Sequence, residues 1–296
     1  MDCRIDVRFF PAPPDLGGCC ATVYRANFTI ADGKRVSDLL QPEWGNVRFF
    51  GGDCPTASIP GGDRLSGACF TATGPSTLPA HFELGTTRMW GIGLFPIGWA
   101  RYCNAPAAEL ANRIVDGNRH PAFSAFSGLA EELFAGKPDD EREYELIIER
   151  FRSKNREVAD ADRISSIHSA LVDPAIRNVA ELAEQSDIGR RTLERLCHRY
   201  FGFTPKQLLR RQRFMRSLAQ FMLERSANWS DVMDERYHDQ AQFVRDFRAF
   251  MCMSPREYAA LDHPILTAFM RERAQTWGAA AQTLDRPPEA GRAKRA

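Results

Sequence analysis

YHDQAQFVRDFRAFMCMSPREY, residues 237–258, repeats much of a pattern that stands fifty residues earlier, in GRRTLERLCHRYFGFTPKQL at 189–208. Sliding 179–208 onto 229–258 aligns the two without a gap. Val179 meets Trp229, Leu182 meets Val232, Leu193 meets Phe243, Cys197 meets Phe247, Tyr200 meets Phe250 and Phe203 meets Met253. Apolar coincidences are common between amphipathic helices, but Arg195 also falls on Arg245, Thr204 on Ser254 and Pro205 on Pro255. One supersecondary unit is therefore used twice. Each copy reads as a short helix (VAELAEQ, WSDVMDE), a tight turn (SDIG, RYH) and a second amphipathic helix (RRTLERLCHRYF, QAQFVRDFRAF). A hydroxyl residue followed by proline then starts a further helix, with Thr204 or Ser254 as N-cap. Asp239 followed by Gln242 predicts a capping box for the second helix of the second copy. Two short helices crossing through a tight turn make a helix-turn-helix, whose second helix fits the DNA major groove.

The net charge of +1 hides an uneven distribution. Residues 1–162 carry 17 Lys/Arg against 22 Asp/Glu, whereas 163–260 carry 16 against 12. Between 190 and 225 ten basic residues face only Glu194 and Glu224. One concentrated basic segment on a near-neutral chain points to a polyanionic partner, and a solvated helix face is its other reading.

Residues 164–260 resemble the DNA-binding domain of the AraC/XylS family of bacterial transcription regulators, in which two helix-turn-helix units are joined by a longer central helix. RRTLERLCHRYFGFTPKQLLRRQR is similar to the first unit and its exit into that helix, and DQAQFVRDFRAFMCMSPREY to the second. The chain departs from the family pattern twice. Arg236-Tyr237 stands where Gly-Phe is usual, in a turn one residue shorter, and Cys252 stands where glycine precedes Met-Ser-Pro. The resemblance implies double-stranded DNA as partner, with RNA polymerase, a small-molecule effector and a second copy of the chain as further partners. It implies base contacts from Arg190, Arg191, Glu194 and Arg195 in the first unit, with Arg199 beside them, and from Gln240, Gln242 and Arg245 in the second. Arginine bonds guanine O6 and N7 bidentately and glutamine does the same to adenine. Phosphate contact is the competing role for the arginines. Arg195 could instead support the fold, and Gln242 could be committed to the cap. In the central helix, Leu208, Leu209, Met215, Leu218 and Met222 form a core stripe. Arg210, Arg211, Arg213 and Arg216 lie towards other faces, as candidates for phosphate contact. Asp239 and Asp246 beside Arg245 and Arg248 weaken the charge of the second unit, so the first is expected to supply most of the specificity.

Up to about residue 100, short β-branched and apolar runs (CCATVYRANFTI, NVRFF, ACFTATG, HFELG, RMWGIGLF) alternate with Gly-rich turns. They predict a small sandwich or barrel, cupin-like as one form, followed by helices over AAELANRIV, SAFSGLAEELF and YELIIERF. The fold class is α+β: a β-rich sensing or dimerisation domain at 1–152, a linker at 153–163, the DNA-binding domain at 164–262 and a tail at 263–296, partly disordered in its Pro-rich DRPPEAGRAKRA. The stripe of Tyr144, Ile147, Ile148 and Phe151 is either a dimer face or packs on its own barrel. Trp44, Trp90 and Trp99 are candidates to line an apolar effector pocket, core packing being their other role.

No metal or cofactor is expected, since His81-Phe-Glu83 alone is too thin for a metal-binding cupin. Eight cysteines without a CxxC pair are read as reduced thiols in the cytoplasm, with Cys19-Cys20 either a sensor or simply buried. The longest apolar run, residues 90–100, spans about half the ~20 residues of a membrane helix, and no signal peptide is read at the start. The reading is a cytoplasmic, sequence-specific DNA-binding regulator, not an enzyme. Its rivals are a DNA-targeted enzyme of the repair alkyl transferase type, and a non-specific architectural binder or helical interaction module.

Overall fold

The computed structural model describes residues 3–16, 18–31, 33–224, 228–277 and 281–286. Among the described residues ten strands make two antiparallel sheets. They are β1 (Cys3–Phe10), β2 (Cys20–Ile30), β3 (Val36–Leu40), β4 (Gly45–Phe50), β5 (Thr56–Ser58), β6 (Leu65–Ser66), β7 (Phe70–Thr73), β8 (Ala80–Leu84), β9 (Thr87–Leu94) and β10 (Ile114–Asp116). The larger sheet runs β1-β2-β9-β4-β7-β10 and the smaller β3-β8-β5-β6. Side chains alternate faces along a strand, and β2 shows the result: Tyr24, Ala26, Phe28 and Ile30 point between the sheets, whereas Val23 joins the outer core. A chain so buried on both faces needs a helical cover outside. Phe126, Ile147 and Phe151 supply it over Val47, Phe49, Phe70, Trp90 and Ile92.

The helices are α1 (Pro96–Tyr102), α2 (Leu129–Leu133), α3 (Asp140–Ser153), α4 (Ala161–Val172), α5 (Val179–Gln185), α6 (Arg190–Leu196), α7 (Pro205–Leu223), α8 (Trp229–Val232), α9 (Gln240–Met251), α10 (Pro255–Ala259) and α11 (Pro264–Trp277). The N-terminal domain is therefore mixed and β-rich, and the C-terminal part helical, as expected. One helical expectation fails. AAELANRIV forms a 3₁₀ turn, Ala107–Leu110, and then β10, not a helix. Asn112 takes the left-handed conformation (φ 56°), which asparagine tolerates, and its Oδ1 accepts the Thr77 and Leu78 amides at 2.7 and 3.2 Å. That breaks the helix and turns the chain onto β7. Of the two readings of the Tyr144–Phe151 stripe, packing on its own domain is the one found: Ile147, Ile148 and Phe151 are buried against the larger sheet. Asp140 and Glu143 reinforce that seat through ion pairs to Arg25 and Arg88 of the sheet.

Cys54 and Cys69 form a disulfide, Cα atoms 4.9 Å apart, so the expectation that all eight cysteines are reduced does not hold for this pair. Cys19 and Cys20 are buried, and desolvation pushes both thiols above their usual range. The tail is ordered over its first half. α11 packs against β1, β3 and α7, and a 3₁₀ turn, Gln282–Leu284, follows. Of DRPPEAGRAKRA, residues 287–296 lie outside the described residues. No helix among the described residues is long and apolar enough to cross a membrane.

Candidate nucleic-acid interface

The first unit is α5, a turn and α6. Asn178 caps α5 by accepting the Ala180 and Glu181 amides at 2.9 and 3.0 Å. Asp187 makes the turn at φ 52°. Leu193, Leu196 and Cys197 face inward, and Cys197–Phe201 continues α6 as a π-helical turn. Arg190, Arg191, Glu194, Arg195, His198 and Arg199 are all exposed. Residues 191, 194, 195 and 198 follow one helical face, and Arg190 sits in the first turn beside it. Among the described residues no carboxylate pairs with these arginines. Arg199 lies over the Tyr200 ring at 5.3 Å.

Gly202, at φ 86°, ends the unit, and Thr204 opens α7 with a complete capping box to Gln207. Fifty residues on, Cys252 ends α9 at φ 58° and Ser254 opens α10 with a complete box to Glu257. The repeat read in the sequence is thus a repeat of caps as well as of cores. It is imperfect in its first helix, since α8 has only four residues against seven in α5.

The second unit has a different electrostatic character. Asp239 accepts the Gln242 amide at 2.6 Å and the Gln242 side chain accepts the His238 amide at 3.1 Å, so this glutamine is engaged in the cap. Gln240 and Arg245 are exposed, as is Arg248 one turn on, which the base-contact set omitted although its i+3 spacing from Arg245 signals the shared face. Asp246 is buried at 3% exposure and gathers Arg210 at 2.6 Å, Arg213 at 2.8 Å and the Tyr237 hydroxyl at 3.2 Å. The Arg213 guanidinium also lies 4.3 Å from the Tyr237 ring centre. Tyr237 thereby fixes the turn where a Gly-Phe pair was expected. Arg216 pairs with Asp234 at 2.5 Å. Three of the four central-helix arginines are therefore held by two carboxylates of the second unit.

The fourth, Arg211, is fully buried and is not available to DNA. Its Nη1 donates to the carbonyl oxygens of Ser76 and Glu43 at 3.0 and 3.4 Å, and the guanidinium stacks 3.8 Å from the Trp44 ring centre. Burial without a carboxylate pushes its pKa down to about 9. It docks the helix-turn-helix half onto the N-terminal domain, within a core where Trp44, Phe95 and Ile97 mix with Leu182, Leu193, Phe201 and Leu208. His168 sits there too, its pKa pushed down to about 3 by desolvation and then by Arg211.

The structure places the three tryptophans named for an effector pocket in separate surroundings. Trp44 belongs to the domain junction and Trp90 to the outer core, donating to Glu143. Trp99 donates to the Ala105 carbonyl at 2.9 Å and borders an open cleft of about 490 Å³ with Arg156 and Tyr200. A separate cavity of about 140 Å³ lies between the sheets, lined by Tyr24, Phe28, Phe50, Phe82, Met89 and, from α11, Phe269. Among the described residues no cluster of three or more His, Cys, Asp or Glu is placed to hold a metal ion.

A family model described as a helix-turn-helix domain matches residues 182–260. No curated protein matches the chain. Among solved structures, ToxT from Vibrio cholerae is 10% identical with a TM-score of 0.42, over 88% of this chain and 98% of that one. The AraC-like transcriptional activator CuxR is 12% identical with a TM-score of 0.27, over 73% and 87%. Two helix-turn-helix units with matching caps, joined by α7 and spanned by one helix-turn-helix family model, define a two-domain protein with a C-terminal double helix-turn-helix module.

Proposed function

We propose that the chain is a sequence-specific transcription regulator that reads double-stranded DNA mainly through α6, with α9 as a weaker second reader. The observation carrying this is the contrast in charge. The guanidinium groups of Arg190, Arg191 and Arg195 stand exposed with no carboxylate partner among the described residues, while those of Arg210, Arg213 and Arg216 are held by Asp246 and Asp234. α7, at 19 residues, is about 28 Å long, close to the ~34 Å that separates successive major grooves on one DNA face. Glu194, Gln240 and Arg245 complete the reading faces, and Arg199 is a phosphate contact. The barrel is the place for an effector.

DNA-site selection with the purified chain tests the reading. The wild type should enrich a defined site of about two helical turns. Arg190→Ala or Arg191→Ala should weaken that site by about 1–3 kcal/mol and relax preference at one base position. Enrichment of no site, or identical preferences in both variants, overturns the assignment.

A further inference from the structure

α11 has its two faces in two different cores. Ile265 belongs to the barrel interior with Phe28, Phe82 and Leu84. Phe269 packs against Tyr24, Phe9 and Phe28, with ring centres 5.2, 6.4 and 6.5 Å away. Leu266 and Met270 instead join Met215, Phe247 and Tyr258 in the core of the second reading unit. The start of α11 is fixed to the smaller sheet. Asp38, itself buried on β3, accepts the Ile265 and Leu266 amides at 2.9 and 2.8 Å and meets His263 Nδ1 at 2.9 Å. Gln41, just past β3, donates to the Tyr258 hydroxyl at 3.3 Å. Downstream, Ala281 returns to the second unit's core, and the Thr283 carbonyl accepts from Gln212 of α7 at 2.5 Å.

The cavity under this helix, about 140 Å³, is smaller than the ~300–1,000 Å³ of small-molecule sites. A ligand of ordinary size fits only where Phe269 leaves. The cavity's cations are already engaged: Arg48 holds Glu43 at 2.8 and 2.9 Å and Tyr24 at 3.1 Å, and Arg273 pairs with Asp285. With phenylalanines, leucines and Met89 around them, the interior suits an uncharged, largely apolar molecule.

We propose that residues 263–277 and 281–286 are a built-in clasp. They plug the barrel and tie the second reading unit to it, and an uncharged apolar ligand entering the barrel displaces Phe269 and loosens that tie. The consequence at DNA rests on the regulator reading above; the clasp itself does not. The test uses the full chain and the neutral fluorophore N-phenyl-1-naphthylamine, with hydrogen exchange followed by mass spectrometry. Phe269→Ala should bind the probe about tenfold tighter than wild type and Phe269→Trp more weakly. Amides of both α11 and α9–α10 should exchange about tenfold faster in Phe269→Ala, and in wild type saturated with probe. Asp38→Asn, which leaves the barrel lining intact, should accelerate the same amides, and Phe269→Leu should fall between. Equal probe binding in wild type and Phe269→Ala overturns the plug. Unchanged α9–α10 exchange while α11 accelerates overturns the tie. Neither readout involves DNA, so exchange coupling in a protein that selects no DNA site refutes the regulator reading and upholds the clasp.

Discussion

Cys252 closes α9 in a left-handed conformation at φ 58°, at the position where Gly202 closes the matching helix at φ 86°. A side chain there strains the backbone by roughly 1 kcal/mol. Cys252→Gly should therefore raise the unfolding free energy by about 1 kcal/mol in urea titrations; a lower midpoint would show that the thiol packs usefully. His168 is the second informative residue. Its folded value of about 3 lies below the ordinary 6.5, so between those values the unfolded chain binds the extra proton. The stability it contributes is complete above about pH 6.5 and is lost as the pH falls towards 3, about 2 kcal/mol by pH 5. His168→Phe, among the rings of Trp44, Phe95 and Phe201, should flatten that acid limb, and urea midpoints measured from pH 7 to 5 check it. Cys252 was visible in the sequence as a departure from a pattern. His168 was not, because an isolated histidine on an amphipathic helix gives no sign of what a different domain will lay against it.

At the scale of elements, α6 and α9 are the same helix with opposite electrostatic surroundings. Asp246 makes the difference, since its buried carboxylate holds two arginines of α7 and the Tyr237 hydroxyl. Asp246→Ala leaves three donors facing a void and should destabilise the second unit by about 3 kcal/mol, tempered by the partial exposure of Arg210 and Arg213. Faster amide exchange confined to α8–α10 is the expected signature; uniform loss across the chain would mean that the unit does not unfold separately. The sequence revealed the two units, their caps and the proline starts, because each of those is a local signal repeated at a fixed offset. It could not reveal which way Asp246 points. The run AAELANRIV carried helical spacing, and only the Asn112 contacts to the Thr77–Leu78 backbone convert its end into a strand. α11 did carry a signal in Ile265, Leu266, Phe269 and Met270, but it was read together with the Pro-rich residues behind it.

At the scale of the molecule, charge count and charge available to DNA diverge. Twelve residues were expected at the DNA, yet Arg211 is buried, Arg210, Arg213 and Arg216 are paired, and Gln242 serves its cap. The dependence of binding on salt should therefore come chiefly from α6. Each neutralised phosphate adds about 0.9 to the slope of log K against log salt. Replacing Arg191 or Arg195 by Ala should flatten that slope by about 1 if the residue meets phosphate, whereas Arg213→Ala should leave it nearly unchanged; equal effects from all three would refute the partition. Domain order was legible from the switch between strand-like and helical periodicity. Domain docking was not, since nothing in RRQR distinguishes the arginine that turns inward.

The stacking of Arg211 on Trp44 also bears on protein engineering. Bipartite regulators invite recombination at the joint, one sensor being grafted to a different reader as though the halves were interchangeable cassettes. Here a cut near residue 163 runs through a continuous apolar core. It leaves a guanidinium that had lain against Glu43, Trp44 and Ser76 with foreign neighbours. A working chimera must carry residues 41–47 and 75–77 along with the reader, or rebuild the seat of Arg211 in its new host.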